Sequence, residues 1–437
     1  MRFVNVGDIL PKNNNIFDTF ELAVYLQMDN LKKWCLDQFT YSLTRDNVQT
    51  KFNQLKQLKS PVEEFEQRAS IFVENISCGL YVMRVVPRLR DRSYLKKFSE
   101  ETNSFSDVCC YYHHKSVQLD LHYLDNTLVI CPSIKSDVST ESNIIMYDVI
   151  TGKTKETKLS FEGHVVNCSS EKKIFVISIA KENPQKEVFS IETFDITSYN
   201  EYHSIKKKIG YSLIEAYRFS HFHFAQYSED KIYVFYKTTS IEHSRYNINY
   251  MLIVCAKTMT ILNNVNLANF NPLFGEEITK DVSFRMQIGN NDLYRLFYHK
   301  NENKLFIELE KLENKLEFYL VFDIKNQLLY KKENILGIKS DFVAPYYDTN
   351  ISVNGDNFYG YITIHTSTDD ENPDVNVSYR DIRAIIREEI RSFNYENETL
   401  VETGMKWKGL EDILTEVECN QSFYRVSTIF VENVKLD

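Results

Sequence analysis

Glycine is scarce in this chain: 12 of 437 residues, alongside 8 prolines and 2 tryptophans. There is no Gly-rich phosphate loop, no H-E-x-x-H and no G-x-S-x-G, so the contiguous enzymatic signatures are absent. Long apolar runs are missing too. No window approaches the ~20 apolar residues of a membrane-spanning helix, and the opening "MRFVNVGDIL" lacks the apolar stretch of a signal peptide. Nor is there a basic excess. The formal net charge is −10, which argues against a general binder of nucleic acid or anionic membrane. The eight cysteines, Cys35, Cys78, Cys109, Cys110, Cys131, Cys168, Cys255 and Cys419, are scattered rather than framed as pairs. They read as free thiols of a reducing compartment, and a cytoplasmic protein is expected. In that setting the sequons at Asn167 and Asn397 stay unused.

What the chain has in quantity is aromatic residues, with 28 Tyr and 29 Phe. Both favour strands, where flat rings pack on a pleated surface. The length predicts two or three domains. Residues 16–75 are helical by pattern: Phe20, Ala23, Val24 and Leu26, then Leu31, Trp34, Cys35 and Phe39, recur at three- and four-residue steps. Thr44 is placed as the N-cap of a helix through Val48, Phe52 and Leu55. Ser60 and Pro61 are placed as the N-cap and first residue of another, with Phe65, Ala69 and Phe72 inward. Residues 84–107 are charged and weakly periodic, and read as a linker.

From about residue 105 the apolar period falls to 2, and a two-part unit recurs. Its first part is a polar turn and a strand: "DNTLVI", "EKKIFVI", "EDKIYVF", "ENKLFIE" and "GDNFYGY". Its second part is "IIMYDVITGK", "IETFDITSYN", "LIVCAKTMTI", "YLVFDIKNQL" and "IRSFNYENET". The order is kept in every copy. Such units predict the blades of a β-propeller, because a lone twisted sheet cannot bury both faces and radial stacking can. The expected fold is mainly β: a six-bladed propeller, with five blades from the repeats and a sixth from the two chain ends, preceded by a small all-α segment. An irregular sandwich or solenoid is the alternative.

The words "MYDVITGK" and "VFDIKNQL" resemble the outer strand and turn of kelch-type blades. The paired glycines of kelch repeats are absent, and Trp407 is the one acceptable match to the Trp that follows the outer kelch strand. "FELAVYLQMDNLKKWCLDQF" resembles the last helices of a BTB domain, with Ala23, Leu26, Gln27, Met28, Leu31, Cys35 and Phe39 in the matching positions. "YSLTRDNVQTKFNQLKQL" resembles the opening of a BACK domain through Leu43, Thr44 and Asn47. On this resemblance, residues 1–42 are the end of a BTB domain, 43–83 a shortened BACK-like region, 84–107 the linker and 108–437 the propeller.

The order BTB, BACK, kelch is that of the kelch-like substrate adaptors of cullin-RING ubiquitin ligases. The resemblance implies a non-enzymatic adaptor without a cofactor. Its propeller loops would bind a protein substrate, and its helices would contact a cullin through Leu43, Thr44, Phe52 and Leu55. No nucleic acid or membrane partner is implied. The front of the BTB domain, which supplies most of its homodimer interface, has no counterpart here, so a monomer is expected. The other reading is a stand-alone propeller scaffold or competitor without ligase assembly.

Two words invite a metal reading. "CCYYHH", Cys109 to His114, puts only one Cys and one His on each face of a strand, where a structural zinc site wants four ligands. "HFHF", His221 to Phe224, puts both His on one side and both Phe on the other, with no third ligand evident. No metal site is expected from either. The acidic word "TDDENPD" from Thr368 reads as a solvated loop tip, and "YRDIRAIIREEIRSF" as either a projecting helix or long strands.

Overall fold

The computed structural model describes the chain from Ile16 to Val431, apart from residues 44, 57–62, 76–78, 87–88, 100–101, 113–116, 125–126, 135–139, 150–151, 162, 171, 184–185, 196–202, 210–216, 243–246, 270–272, 310–317, 334, 338–345, 355–356, 368–382, 410–411 and 416–425. The chain opens with four helices, α1 (Ile16–Tyr25), α2 (Asp29–Tyr41), α3 (Arg45–Leu55) and α4 (Glu63–Asn75). Their inward residues close a core of their own, made of Phe20, Cys35, Phe39, Val48, Leu55 and Phe65 among others. Phe65 is its centre: its ring meets those of Phe17, Phe20 and Phe39 at 5.2, 4.6 and 5.0 Å, all edge-on. Each such pair adds about 1 kcal/mol beyond area burial. The helical periods of the sequence are thus realised. The caps expected at Thr44, Ser60 and Pro61 lie outside the described residues.

The rest is a ring of sheets. Blade 1 holds β1 (Gly79–Val86), β2 (Leu89–Ser99) and β3 (Ser104–Tyr112). Blade 2 is β4 (Val117–Leu124), β5 (Thr127–Ile134), β6 (Thr140–Asp148) and β7 (Thr154–Phe161). Blade 3 is β8 (His164–Ser169), β9 (Lys173–Asn183), β10 (Lys186–Asp195) and β11 (His203–Ile209). Blade 4 is β12 (Tyr217–Ser228), β13 (Lys231–Ser240), β14 (Asn247–Cys255) and β15 (Thr260–Asn266). Helices α5 (Glu276–Lys280) and α6 (Val282–Asn290) follow, then blade 5: β16 (Leu293–His299), β17 (Lys304–Leu309), β18 (Phe318–Asp323) and β19 (Leu328–Glu333). Blade 6 comprises β21 (Tyr346–Asn354), β22 (Asn357–Ser367), β23 (Arg383–Glu396) and β24 (Thr399–Lys408), flanked by the short β20 (Leu336–Gly337) and β25 (Asp412–Thr415). The last strand, β26 (Val426–Val431), returns to pair with β1 and becomes the inner strand of blade 1. The inner strands β4, β8, β12, β16, β21 and β26 contact one another in a closed circuit, so the ring has six blades.

The repeat words are the second and third strands of blades 2 to 6, each with its polar turn. The five second strands lie in separate blades. Among the described residues, blades 2 and 3 are joined by a single pairing, Ile134 with Val165. The strand near the C-terminus shares a blade with the first strands of the propeller, as expected. "CCYYHH" begins in β3, the outermost strand, while β26 pairs with β1. "RAIIREEIRSF" lies in β23, the strand reading of that word.

The domain boundaries need correction. The propeller begins at Gly79, inside the region assigned as BACK-like, and the expected linker 84–107 contains β2 and the start of β3. Its weak periodicity has a physical cause. Blade 1 is sandwiched between two neighbours, so both faces of its strands are covered. Tyr81, Met83 and Leu95 join the core shared with blade 2. Leu80, Val82 and Phe98 join the core shared with blade 6, where Trp407 meets Phe105 edge-on at 4.8 Å. Helices α5 and α6 were not expected either. Their segment carries no clear apolar stripe, and α6 is started by Asp281, whose carboxylate accepts the Phe284 N–H at 2.9 Å.

Candidate functional site

Turns of blades 3 to 5, with Tyr123 of β4 in blade 2, surround a cavity of about 1450 Å³. The first-to-second-strand turns supply Lys172 and Lys173, Glu229 and Asp230, and Lys300 to Lys304. The floor is tied together by Asn303, which is buried. Its carbonyl oxygen Oδ1 accepts from Ser228 Oγ at 2.7 Å and Tyr298 OH at 2.8 Å, and its amide donates to Glu229 Oε1 at 2.7 Å. Glu229 and Asp230 form the β12–β13 turn with φ of 49° and 60°. Left-handed backbone suits Asn-Gly, and costs these side chains about 1 kcal/mol each. Contacts hold them there: Glu229 through Asn303, and Asp230 through the Lys257 ammonium at 2.5 Å. That ammonium also keeps the Asp230 carboxyl below its ordinary range.

Six lysines line the cavity, Lys172, Lys173, Lys257, Lys300, Lys304 and Lys325, against four carboxylates, Glu229, Asp230, Glu302 and Asp323. A chain of net charge −10 therefore turns a locally basic mouth to solvent. Behind the mouth, Lys304 bonds Glu302 at 3.0 Å and also Glu398, and Tyr330 OH donates to Glu398 Oε1 at 2.6 Å. Burial opposes the charge on Lys304, but the two glutamates outweigh it and raise its pKa. For Glu398, burial pushes the pKa up and Lys304 and Tyr330 more than reverse it. A folded-state pKa below the unfolded one stabilises the fold above the unfolded value, near 4.3, and that stability disappears as pH falls through the folded value. We expect the melting temperature to fall on acidification below about pH 5. Glu398→Gln should lose about 1–3 kcal/mol at pH 7 and flatten the acid limb. An unchanged acid limb in thermal melts from pH 7 to 3 would disprove the assignment.

The residues expected to meet a partner on the helices are placed differently. Leu43 and Leu55 are 5% and 0% exposed, so they hold the helical core and offer no surface. Phe52 is half-buried, with the Lys56 ammonium 4.9 Å from its ring. Thr44 lies outside the described residues. The apolar surface is on α1 and the turn after it: Leu22, Val24, Tyr25, Leu26 and Met28 are all exposed, Tyr25 at 84%. Leu22, Tyr25 and Leu26 share one face by their three- and four-residue spacing, opposite buried Phe20 and Ala23.

The metal expectations divide. In "CCYYHH", burial and the neighbouring Cys110 and Glu156 push the Cys109 thiol up to about 11, which disfavours a thiolate ligand. His113 and His114 lie outside the described residues, as does "TDDENPD". For "HFHF" the structure corrects the sequence reading. His221 and His223 share a side, but Asp292, from the connection between α6 and β16, joins them as a third group. The two phenylalanines do not share a side: Phe222 packs toward blade 3 and Phe224 toward blade 5. Pairing irregularities at Ser220 and His223 shift the alternation.

No protein-family model matches the chain, and no curated protein does. Several solved structures are similar to it. A putative 6-phosphogluconolactonase from Bacteroides uniformis ATCC 8492 is 12% identical over 77% of this chain and 100% of its own, at a TM-score of 0.41. CoXyl43, a GH43 β-xylosidase/α-arabinofuranosidase from a compost microbial metagenome, is 11% identical over 56% of this chain and 84% of its own, at 0.34. An oligogalacturonate lyase in complex with manganese is 10% identical over 75% of this chain and 78% of its own, at 0.34. Enzymes are among these structures, and the expectation that the chain is not an enzyme is withdrawn: it rested on missing motif words alone. Missing motif words were the wrong test, since a propeller can assemble reacting groups from separate blades. At these identities the likeness concerns the fold, and no substrate or catalytic residue is carried over. Among the described residues, no helix is long and apolar enough to cross a membrane.

Proposed function

We propose that this chain is an adaptor that links two proteins. The propeller is a common protein-binding scaffold, and the basic mouth of blades 2 to 5 is the surface that takes an acidic segment of one partner. The α1 face takes the other. The observation that carries this reading is the exposed row Leu22, Tyr25 and Leu26 on α1 and the turn that ends it, opposite Phe20 and Ala23, which are buried in the helical core. Contiguous exposed apolar groups of this kind mark docking surfaces, and aromatic residues concentrate binding energy there. The resemblance of α1 to α3 to the end of a BTB domain and the start of a BACK domain makes a cullin-type scaffold the second partner, with the protein held at the mouth as the ubiquitination substrate.

Binding of the purified chain to a cullin N-terminal domain, measured by calorimetry, tests this. Tyr25→Asp with Leu26→Glu should weaken binding at least tenfold while leaving stability within about 0.5 kcal/mol, because both residues are exposed. No binding by the unaltered chain would sink the cullin part and leave the stand-alone scaffold. Undiminished binding by the double variant would sink the α1 surface.

A further inference from the structure

We propose that His221, His223 and Asp292 form a site for one divalent transition-metal ion of the zinc type at the junction of blades 4 and 5. His221 and His223 lie about the middle of β12, and their rings stand 4.8 Å apart at 85°. Asp292 arrives from the next blade, placed by α6. One ligand atom from each of the three lies within 4.8 Å of the others. Ligand atoms around a tetrahedral zinc stand roughly 3.4 Å apart, so the groups need close by only about an ångström.

The orientation of the two imidazoles is what separates this cluster from a chance meeting. Asn249, fully buried on β14, donates its amide to the carbonyls of Ile288 and Asn291, both at 2.6 Å. Its Oδ1 can then only accept, and it takes the Nε2–H of His223 at 2.8 Å. That fixes the tautomer and leaves His223 Nδ1 as the lone-pair nitrogen, which accepts a long hydrogen bond of 3.4 Å from the Leu293 N–H beside Asp292, a bond the metal would displace. Ser220 Oγ holds Nδ1 of His221 at 3.1 Å, and its Nε2 turns to Asp292 Oδ1 at 3.4 Å. The His221 ring thus spans Ser220 and Asp292, and the His223 ring spans Asn249 and the backbone next to Asp292. Metal-binding histidines are oriented in this way by their outer partners. Asn249 also anchors the C-terminal end of α6, so one buried amide positions both His223 and the segment that carries Asp292.

The carboxylate already attracts a cation. Lys237, nearly buried on β13 and paired in register with His221, puts its ammonium 2.7 Å from Asp292 Oδ1. A dication brings more charge and can use both imidazole lone pairs, which an ammonium cannot. Lys237 is therefore a competitor that sets the affinity. Two imidazoles and one carboxylate suit zinc, iron or manganese rather than calcium or magnesium. The His221 and Asp292 side chains are 21% and 30% exposed, which leaves a coordination position for solvent or a small ligand. That is the three-ligand plan of open sites rather than of closed structural ones. The site uses none of the residues of the proposed partner surfaces, so it stands or falls separately.

The test is titration of the metal-stripped full chain with Co²⁺, followed by absorption in the visible region. One equivalent should bind and give ligand-field bands without thiolate charge-transfer absorption. Zn²⁺ should displace it. His223→Gln and Asp292→Asn should each weaken binding at least tenfold, with circular dichroism confirming the fold. Lys237→Met should tighten it at least tenfold, a gain that misfolding cannot imitate. Absence of stoichiometric binding, thiolate bands, or an affinity indifferent to both His223→Gln and Lys237→Met would overturn the proposal.

Discussion

Arg391→Ala should destabilise the protein by about 3–5 kcal/mol, the range measured when one member of a buried ion pair is removed. Arg391 is 2% exposed, and its guanidinium donates Nε and Nη2 to Glu389 Oε2 at 2.8 and 2.6 Å and Nη1 to Glu402 Oε2 at 2.8 Å. Glu389 is 0% exposed. Burial disfavours the charge on Arg391, and the two glutamates outweigh it and raise its pKa. Truncation leaves a carboxylate sealed in blade 6 with its main counter-charge gone. Against a typical total stability of about 5–15 kcal/mol, that loss is severe. Arg391→Lys should lose less, because charge is kept and only the planar fork is lost. Replacing Arg391, Glu389 and Glu402 together by apolar residues of similar volume should recover much of the deficit. Urea unfolding of the three variants checks this order. An Arg391→Ala variant within about 1 kcal/mol of the parent would show that the triad is solvated rather than sealed.

Deleting residues 426–437 should prevent cooperative folding altogether. β26 pairs with β1 from Gly79–Val431 through Arg84–Val426, and Val431 is fully buried. Ser352 Oγ donates to Thr428 Oγ1 at 2.6 Å, so the same strand also ties blade 1 to blade 6. Without it, β1 becomes an open edge carrying Leu80, Tyr81, Val82 and Met83, all at most 2% exposed in the intact ring. An apolar edge of that kind templates aggregation. Soluble, cooperatively melting protein after this deletion would mean that β26 is dispensable.

The second and third strands of blades 2 to 6 were legible because each joins a buried run to a polar turn within a short stretch of chain. Blade 1 was not. Its inner strand lies at the far end of the sequence, so the blade is not contiguous in the chain. Helical period revealed that Leu55 and Tyr25 lie on helices, but an apolar pattern does not say which apolar face finds cover. Leu55 was expected on the surface and is in the core, while Tyr25 is the residue left outside. His221 and His223 were visible as a pair. Asp292 was not, because only α6 and the packing of blade 5 on blade 4 bring it there. The pairing irregularities in β12 are equally invisible in the sequence, since they depend on the register of β13.

Closure of the ring by the two chain ends underlies every placement described above, and a disulfide test addresses it directly. Val82 and Thr428 are direct cross-strand partners. With Val82→Cys and Thr428→Cys in one chain, mild oxidation should join the two engineered thiols within the monomer, as seen by peptide mapping, and should raise the melting temperature. Thiols that remain free, or that link only between chains, would contradict the shared blade and with it the six-bladed ring.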